Sequence, residues 1–595
     1  MKKINYILLL MFLGLASCNK DVLEKQPLDI ISDAGVWNDP ALIDAYLNNC
    51  YGEMGFINDA NYNPGTFWAG YTGCWFELAT QTNCADECTV GWEGYSDPGY
   101  SGFKSFMIRA DRPYGEWWGY PLMRKLNIFI EKLPTSPIEA DKKKQRIAEA
   151  RFLRAYAYFN MVKRYGGVPL ITKSQAMDAT KEELYPKRNT EEEVYNFILS
   201  EIDAITVDLK DVQNDGGRPT KYAALALKSR VAMYAGSIGT WGQVQINGLV
   251  GIPAGKAKDY WQKSYDASKA IISSGKFALY NKTPDNKISN FRNLFLDENN
   301  QEVIFSEVYD GKSGKGHSWD FMNDPFGYHI WGCGGESIAY LEMVEEFENK
   351  DGSSGVIDRQ KIASGYLWAV DEIFGNKDPR FHASIQTQGD SWMGETLQTY
   401  RGIILPDGTV TENTYNGVPG RGKATTDRPY ATPFMMLKHM DESLGISPMY
   451  DGYSKTDWII FRYGETLLNL AEAAFELGKT SEALDAVNQI RARAGIALLT
   501  SIDRQKIRHE RKVELFAEGN RYWDVRRWRT AEVELSKVLS SMKYILDYNT
   551  RKFKLQIIPN IDGSLAQPFA PKHYYLPITL SRTTNNPNLI ENPDY

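Results

Sequence analysis

The strongest constraint on the fold is a pair of apolar stripes joined by a glycine turn. Between Gly464 and Gly495, the residues Leu467, Leu470, Ala471 and Ala474 recur at helical spacing up to Gly478-Lys479, and Ala483, Leu484, Val487 and Ile490 form the returning stripe. Small alanines where two helices cross let the backbones approach, and the length is close to the roughly 34 residues of a tetratricopeptide helix pair. The same periodicity appears earlier. Ala148, Phe152, Ala155, Phe159 and Val162 mark one buried stripe over 141–165, ended by Gly166-Gly167-Val168-Pro169. Ala224, Leu227, Val231 and Tyr234 mark a helix over 220–235, and Trp261, Tyr265, Ser268 and Ile272 its neighbour over 259–273. A shorter apolar helix covers 123–130, with Trp117 and Trp118 read as packing before it, and one long helix is expected from Asp503 to Trp528.

Two stretches break this texture. Residues 58–113 and 275–463 are clusters of Gly, Pro, Asn, Asp and Trp with few periodic stripes, which indicates long loops and short strands. Loops of this length inside a folded chain usually carry function. Aromatic residues make up 13% of the 595-residue chain, too many for these stretches to be disordered. A net charge of −7 with a pI near 5.7 argues against nucleic acid as a partner.

The N-terminus reads as an address. Lys2 and Lys3, an apolar run over 6–15 and Ala16-Ser17 before Cys18 have the layout of a secretory signal peptide, and the run is too short to span a bilayer. Leu15-Ala16-Ser17-Cys18 resembles the bacterial lipobox, which implies removal of residues 1–17, acylation of Cys18 and anchoring to membrane lipid. Of the 6 cysteines, Cys50, Cys74, Cys84, Cys88 and Cys333 then remain, an odd number that excludes a complete disulfide framework. The spacing of Cys84 and Cys88, with no His near, favours a local disulfide over zinc.

Further marks fall at separated places: Glu149-Ala-Arg-Phe-Leu-Arg-Ala-Tyr156 leading to Tyr165-Gly-Gly-Val-Pro-Leu170, then Asn488-Gln-Ile-Arg-Ala-Arg-Ala-Gly495. They continue through Glu510-Arg511, Glu514-Leu515, Glu518-Gly519, Trp523-Asp524-Val525-Arg526-Arg527 and Tyr575-Leu576-Pro577-Ile578 to Asn586-Pro-Asn-Leu589 with Asn592-Pro593. With the lipobox, this set resembles the SusD/RagB family of outer-membrane lipoproteins over nearly the whole chain.

The resemblance implies a mostly α fold: about four tetratricopeptide-like helix pairs in a right-handed superhelix, with long irregular loops and minor β structure, as a single domain over 18–595. It also implies a lipid-anchored protein of the outer membrane, exposed at the cell surface. Such a protein captures oligosaccharide or polysaccharide and delivers it to a SusC-like TonB-dependent transporter, without catalysis and without a cofactor. A peptide-binding member of the same family is the first alternative, a surface glycoside hydrolase the second, and a pure protein-binding scaffold the third.

A sugar ring offers a C–H face and a rim of hydroxyls, so its site needs flat aromatic platforms with amides and carboxylates at the edge. The loops carry both kinds. By the resemblance Trp92 and Trp331 are the first platforms, with Trp75, Trp319 and Tyr95 next and Tyr71, Tyr309, Asn83 and Asp86 as further ligand contacts. The alternative for each tryptophan is a place in the core, and Asp86-Glu87 alternatively caps a turn. Gly417-Val-Pro-Gly-Arg-Gly-Lys423 misses a phosphate loop because Ala424 stands where Ser or Thr is needed. The 6 histidines form no metalloprotease pair, and no serine-hydrolase elbow is present. The oxygens of Asp297-Glu-Asn-Asn-Gln-Glu302 suit a structural calcium but lack the spacing of a helix-loop-helix calcium site. The Arg-rich stretch 521–529 is read as structural, its cations suiting a helix C-terminus and stacking on tryptophan.

Overall fold

The expected stripes lie on helices that start and stop close to their sequence signals. The computed structural model describes residues 33–54, 56, 82–89, 108–109, 112–113, 116–176, 178–212, 216–310, 316–317, 319–325, 335, 337–412, 432–445, 454–561 and 568–595. Helix α1 is Pro40–Glu53, α2 is Tyr120–Lys132, α3 is Ala140–Tyr165 and α4 is Glu191–Ile205. Helix α5 is Lys221–Trp241 and α6 is Ala257–Ser273, while α7, Tyr463–Glu476, and α8, Thr480–Ala494, form the pair read from its two stripes. Each packs on its successor, including α6 on α7 across the whole loop-rich stretch between them. None of the described helices is long and apolar enough to cross a membrane.

Local chemistry explains the ends. Thr190 opens α4 with a capping box: its hydroxyl accepts from the Glu193 N–H at 3.2 Å, and the Glu193 carboxylate accepts from the Thr190 N–H at 2.8 Å. Gly495 closes α8 at φ 78°, ψ 34°, the left-handed conformation in which a Cβ is strained. Gly166 closes α3 at φ 72°, where a Cβ would stand 2.7 Å from the Leu249 carbonyl oxygen. Inside the array Ala148, Phe152, Ala155, Phe159 and Val162 are all buried, as are Ala471, Ala474, Ala483 and Ala486. Trp117 is core, and Trp118 meets Tyr165 edge-on at 5.2 Å with the Arg582 guanidinium 4.6 Å from its ring.

The expected long helix over 503–528 is two helices, α9, Arg504–Glu514, and α10, Arg521–Arg527. Buried cations end the first. Lys438 Nζ donates to the carbonyls of Glu514 at 3.2 Å and Phe516 at 2.8 Å, and Arg462 Nη2 donates to the Glu514 carbonyl at 3.0 Å. These take carbonyl oxygens that a continuing helix would have bonded, and the chain turns through φ 58° at Ala517 and 73° at Gly519.

Short strands occupy the loop-rich half. They include β1, Cys88–Thr89; β2, Val303–Glu307; β3, Ile338–Ala339; β4, Leu367–Trp368; β5, Ile385–Gln386; and β6, Gly402–Ile404. β7 is Val410–Glu412, β8 Met435–Met436, β9 Trp458–Arg462, β10 Ser541–Asp547 and β11 Phe553–Ile558. One sheet runs β1-β3-β8-β5 and another β7-β6-β10-β11-β4, while β2 pairs with β9. Within these sheets only β6 with β10 is parallel. The core of the two larger sheets is separate from that of the helices and rich in Trp, Phe and Met, including Trp319, Trp392, Phe434, Met435 and Trp458, whereas Ile304 and Phe305 of β2 and Ile460 and Phe461 of β9 pack into the helical core.

A buried ion network joins the two halves. Glu514 at the end of α9 receives Arg462 Nη1 at 2.7 Å, Arg380 Nη1 at 2.9 Å and the Arg493 guanidinium. Arg462 also reaches Glu302 at 2.8 Å and Glu518 at 2.7 Å, and Arg380 reaches Glu510 at 2.6 Å and Asp378 at 2.7 Å. Burial alone would raise the Glu514 carboxyl, but Arg493, Arg462 and Arg380 outweigh it and hold it far below the usual carboxylate range. Removing one partner of such a network strands an uncompensated buried charge, at a cost of about 3–5 kcal/mol.

One expectation is corrected here. Cys84 and Cys88 are buried thiols and are not joined in a local disulfide. Cys50 is likewise a buried thiol, pushed up to about 12 by burial. Cys74 and Cys333 lie outside the described residues. The calcium-like stretch spends its oxygens internally: Asp297 Oδ2 accepts from Tyr280 Oη at 2.5 Å and Lys282 Nζ at 2.8 Å, and Glu302 belongs to the ion network. Among the described residues no cluster of three His, Cys, Asp or Glu is arranged to hold a metal.

Candidate functional site

Residues 82–89 form a turn leading into β1, and charge ties it to the helices. Asp86 is 2% exposed and accepts from Arg521 Nε at 2.7 Å and from Lys512 Nζ at 2.9 Å. Burial would raise its carboxyl, but Arg521 and then Lys512 hold it well below the usual range. Neighbouring Glu87 is pushed up to about 8, by burial first and then by the Asp86 charge. Its backbone carbonyl accepts from the Tyr340 N–H at 3.1 Å, locking the turn to the end of β3.

The strand register decides what these pieces bring together. β1 and β3 are antiparallel with Thr89 opposite Ile338 and Cys88 opposite Ala339. In this direction the chain leaves β1 after Thr89 at the same end at which it enters β3 at Ile338. Thr89, the last described residue before 90–107, and Ile338, which closely follows 326–336 in sequence, therefore stand side by side at one sheet end. The second root is braced as well: Asn323 Oδ1 accepts from the Ser337 N–H at 3.0 Å, and its amide donates to the Trp319 carbonyl at 3.1 Å. Below it Asp320 Oδ1 accepts from the Asp441 N–H at 2.6 Å, and Asp324 Oδ1 from Trp392 Nε1 at 2.7 Å. Burial pushes these two carboxyls up to about 7 and about 8.

Several expected contacts prove to be framework. Trp319 is 3% exposed, donates its indole N–H to the Lys438 carbonyl at 2.8 Å and packs on Trp458 at 5.3 Å. A platform needs an open face, and this ring has none. Asp86 is committed to Arg521 and Lys512, so its carboxylate positions the turn rather than meeting a hydroxyl, and Asn83 is buried in the same turn. Tyr309 is half-buried, its N–H donating to Asp457 Oδ1 at 3.2 Å and its ring edge-on to His317 at 5.0 Å. Cys18, Tyr71, Trp75, Trp92, Tyr95 and Trp331 lie outside the described residues, as does the 417–423 loop. Lys512 as a positioning residue escaped the sequence reading, because its partner Asp86 is 426 positions away and no local spacing announces the pair. The Arg-rich stretch is structural: Arg521 binds Asp86 and Glu534, and Arg527 binds Glu472 at 2.6 Å and Asp524 at 2.8 Å.

Comparison with known proteins places this architecture. A model described as "SusD family" matches residues 301–595, and a second, described as "Starch-binding associating with outer membrane", matches residues 94–233. The chain belongs to the SusD/RagB family. Among similar members, the SusD-like protein P38 of Formosa agariphila is 27% identical over 440 residues, 69% of this chain and 71% of the relative. A solved SusD-like protein from Bacteroides fragilis superposes with a TM-score of 0.69 at 27% identity, covering 96% of this chain and 100% of that one. A solved SusD-like carbohydrate-binding protein, also from Bacteroides fragilis, superposes with a TM-score of 0.66 at 23% identity, over 93% and 100% of the two chains, and shows the shared fold. In this SusD/RagB chain Glu149–Tyr156 lies in the buried middle of α3, and Glu510, Glu514 and Glu518 enter the ion network. These are scaffold positions.

Proposed function

We propose that this chain is a glycan-binding lipoprotein of the bacterial cell surface. It is anchored in the outer membrane through acylated Cys18, captures oligosaccharide or polysaccharide on its aromatic loops and delivers it to a SusC-like TonB-dependent transporter. The observation that carries the reading is the pairing of Thr89 with Ile338. Trp92 follows Thr89 by three positions and Trp331 precedes Ile338 by seven, so the sequence joins both tryptophans to that sheet end through short segments. Tyr95 shares the first segment. Two aromatic-rich segments joined in sequence to one braced sheet end suit a ligand whose rings present flat C–H faces. The starch-binding, outer-membrane description of the family model matching 94–233 agrees with both ligand class and location. Trp92 and Trp331 are the platforms, Tyr95, Trp75 and Tyr71 secondary contacts, and no catalytic step is assigned.

The test is calorimetric titration of the full mature chain in detergent against plant, microbial and host polysaccharides and a mixed peptide digest, beside Trp92→Ala and Trp331→Ala. Glycan binding weakened at least tenfold in folded variants is the expected result. Peptide binding, or glycan binding indifferent to both changes, overturns the site. Release of reducing ends on incubation would make the chain a hydrolase instead, and absence of a TonB-dependent barrel from the protein purified out of outer membranes would remove the delivery step.

A further inference from the structure

A cavity of about 300 Å³ opens where the chain leaves α5 and the C-terminal segment returns, and none of its lining residues belongs to the loop roots. Trp241, the last residue of α5, lines it together with Tyr574 and Tyr575. The exposed amides of Gln243 and Gln245 complete this part of the lining.

The cleft is held in place by contacts that fix its aromatic residues. The Arg529 guanidinium lies 4.6 Å and 4.9 Å from the ring centroids of Tyr574 and Tyr575, and its Nη2 donates to Tyr575 Oη at 2.7 Å. Tyr575 Oη donates in turn to buried Glu191 Oε2 at 2.7 Å. Trp241 meets Trp261 at 6.0 Å and 71°, with the Arg508 guanidinium 4.8 Å from its own ring. Beyond Trp241 the loop carries Ile246 and Asn247 through φ 47° and 52°, and Arg529 itself holds φ 55°. A β-branched residue rarely adopts this conformation, and backbone strain of this kind clusters at ligand sites.

The charges of the lining cancel, Arg529 and Lys572 against Glu532 and Asp594, so it favours neither an anion nor a cation. Aromatic rings with amides and balanced charges suit an uncharged ring bearing hydroxyls. The volume is near the lower end of the roughly 300–1,000 Å³ of small-molecule sites, room for a short saccharide end rather than a long chain. We propose that this cleft is a second carbohydrate site, taking the end of a neutral glycan independently of the aromatic loops. Its ligand class rests on the glycan-binding reading above.

The experiment is 19F NMR of the full mature chain labelled with 5-fluorotryptophan, with the Trp241, Trp92 and Trp331 resonances assigned by Trp→Phe replacement. Maltotriose, laminaritriose and cellotriose are the probes. The Trp241 resonance is expected to shift with at least one of them. The combined variant Gln243→Ala, Gln245→Ala and Glu532→Ala changes only exposed positions, and is expected to weaken that response about tenfold while the loop resonances behave as in the parent. A Trp241 resonance unmoved at millimolar saccharide, or one that shifts equally in the combined variant, overturns the cleft. Loop resonances that move without Trp241 leave only the loop site standing. Trp241 moving alone leaves only the cleft, and movement of neither overturns both.

Discussion

In the helical array a residue's role follows from neighbours three or four positions away, as along the buried stripe Ala148, Phe152, Ala155, Phe159 and Val162. In the loop-bearing half Arg462 finds Glu302 160 positions earlier, and Arg521 reaches back 435 positions to Asp86. The first region is held largely by volume, since small and branched side chains fill the space between helices, with a few buried pairs such as Arg154–Glu201 and Arg230–Glu465 between them. The second has short strands and a core of Trp, Phe and Met, and the helices hold it through buried ion pairs. Volume tolerates small adjustments, whereas a buried charge that loses its partner has no cheap alternative.

The hardest test of this contrast is Glu514→Gln. Glu514 meets Arg380, Arg462 and Arg493, so neutralising it is expected to cost about 3–5 kcal/mol and to split thermal unfolding into two calorimetric transitions, the loop-bearing half melting first. A single transition displaced by less than about 1 kcal/mol would show that the network does not couple the halves.

Acidity tests the contrast from another side. The Glu87 carboxyl at about 8 lies above its ordinary 4.5, so the folded chain keeps a proton that the unfolded chain releases, and stability falls as pH climbs through that window. In Glu87→Gln this slope disappears, and the variant should gain on the parent by roughly 2–4 kcal/mol between pH 4.5 and pH 8.5 in urea titrations. The Glu514 carboxyl, held low, acts oppositely: its contribution is present above the ordinary carboxylate range and is lost as pH falls below it. Parallel pH profiles of parent and Glu87→Gln would mean that the turn before β1 opens to water.

Effects in the helical array are expected to be smaller and local. Gly495→Ala forces a Cβ at φ 78°, 2.8 Å from Lys287 Cγ, and should cost about 1–2 kcal/mol without splitting the transition. Thr190→Ala removes one capping box and should cost about 1 kcal/mol, read as a shift in the urea midpoint at unchanged slope.

The same contrast explains what could be read from the chain before its structure. Stripes, caps and glycine stops found α3, α6, α7 and α8 within a few residues and the start of α5, which runs six residues past its expected end at Ala235 to Trp241, because helical order is written in neighbouring positions. The reading failed at 503–528, where periodicity ran on but Lys438 and Arg462 took the carbonyls that end α9. It failed at Trp319 for a related reason: a loop tryptophan looks available until Lys438 and Trp458, more than a hundred positions later, cover it. Asp86 likewise reads as a polar rim residue until Arg521 and Lys512 arrive from the other end of the chain.

The pairing of Thr89 with Ile338 also bears on how such a protein diversifies. Two segments far apart in the gene adjoin one braced sheet end in sequence, where the register is held by backbone bonds and by Asn323 and Glu87 beside the strands. Either segment can lengthen, shorten or change its aromatic residues without moving the other's footing. Ligand preference can thus drift by exchange of one insert at a time, and hybrids that swap only one of the two between relatives should keep their fold while mixing their tastes.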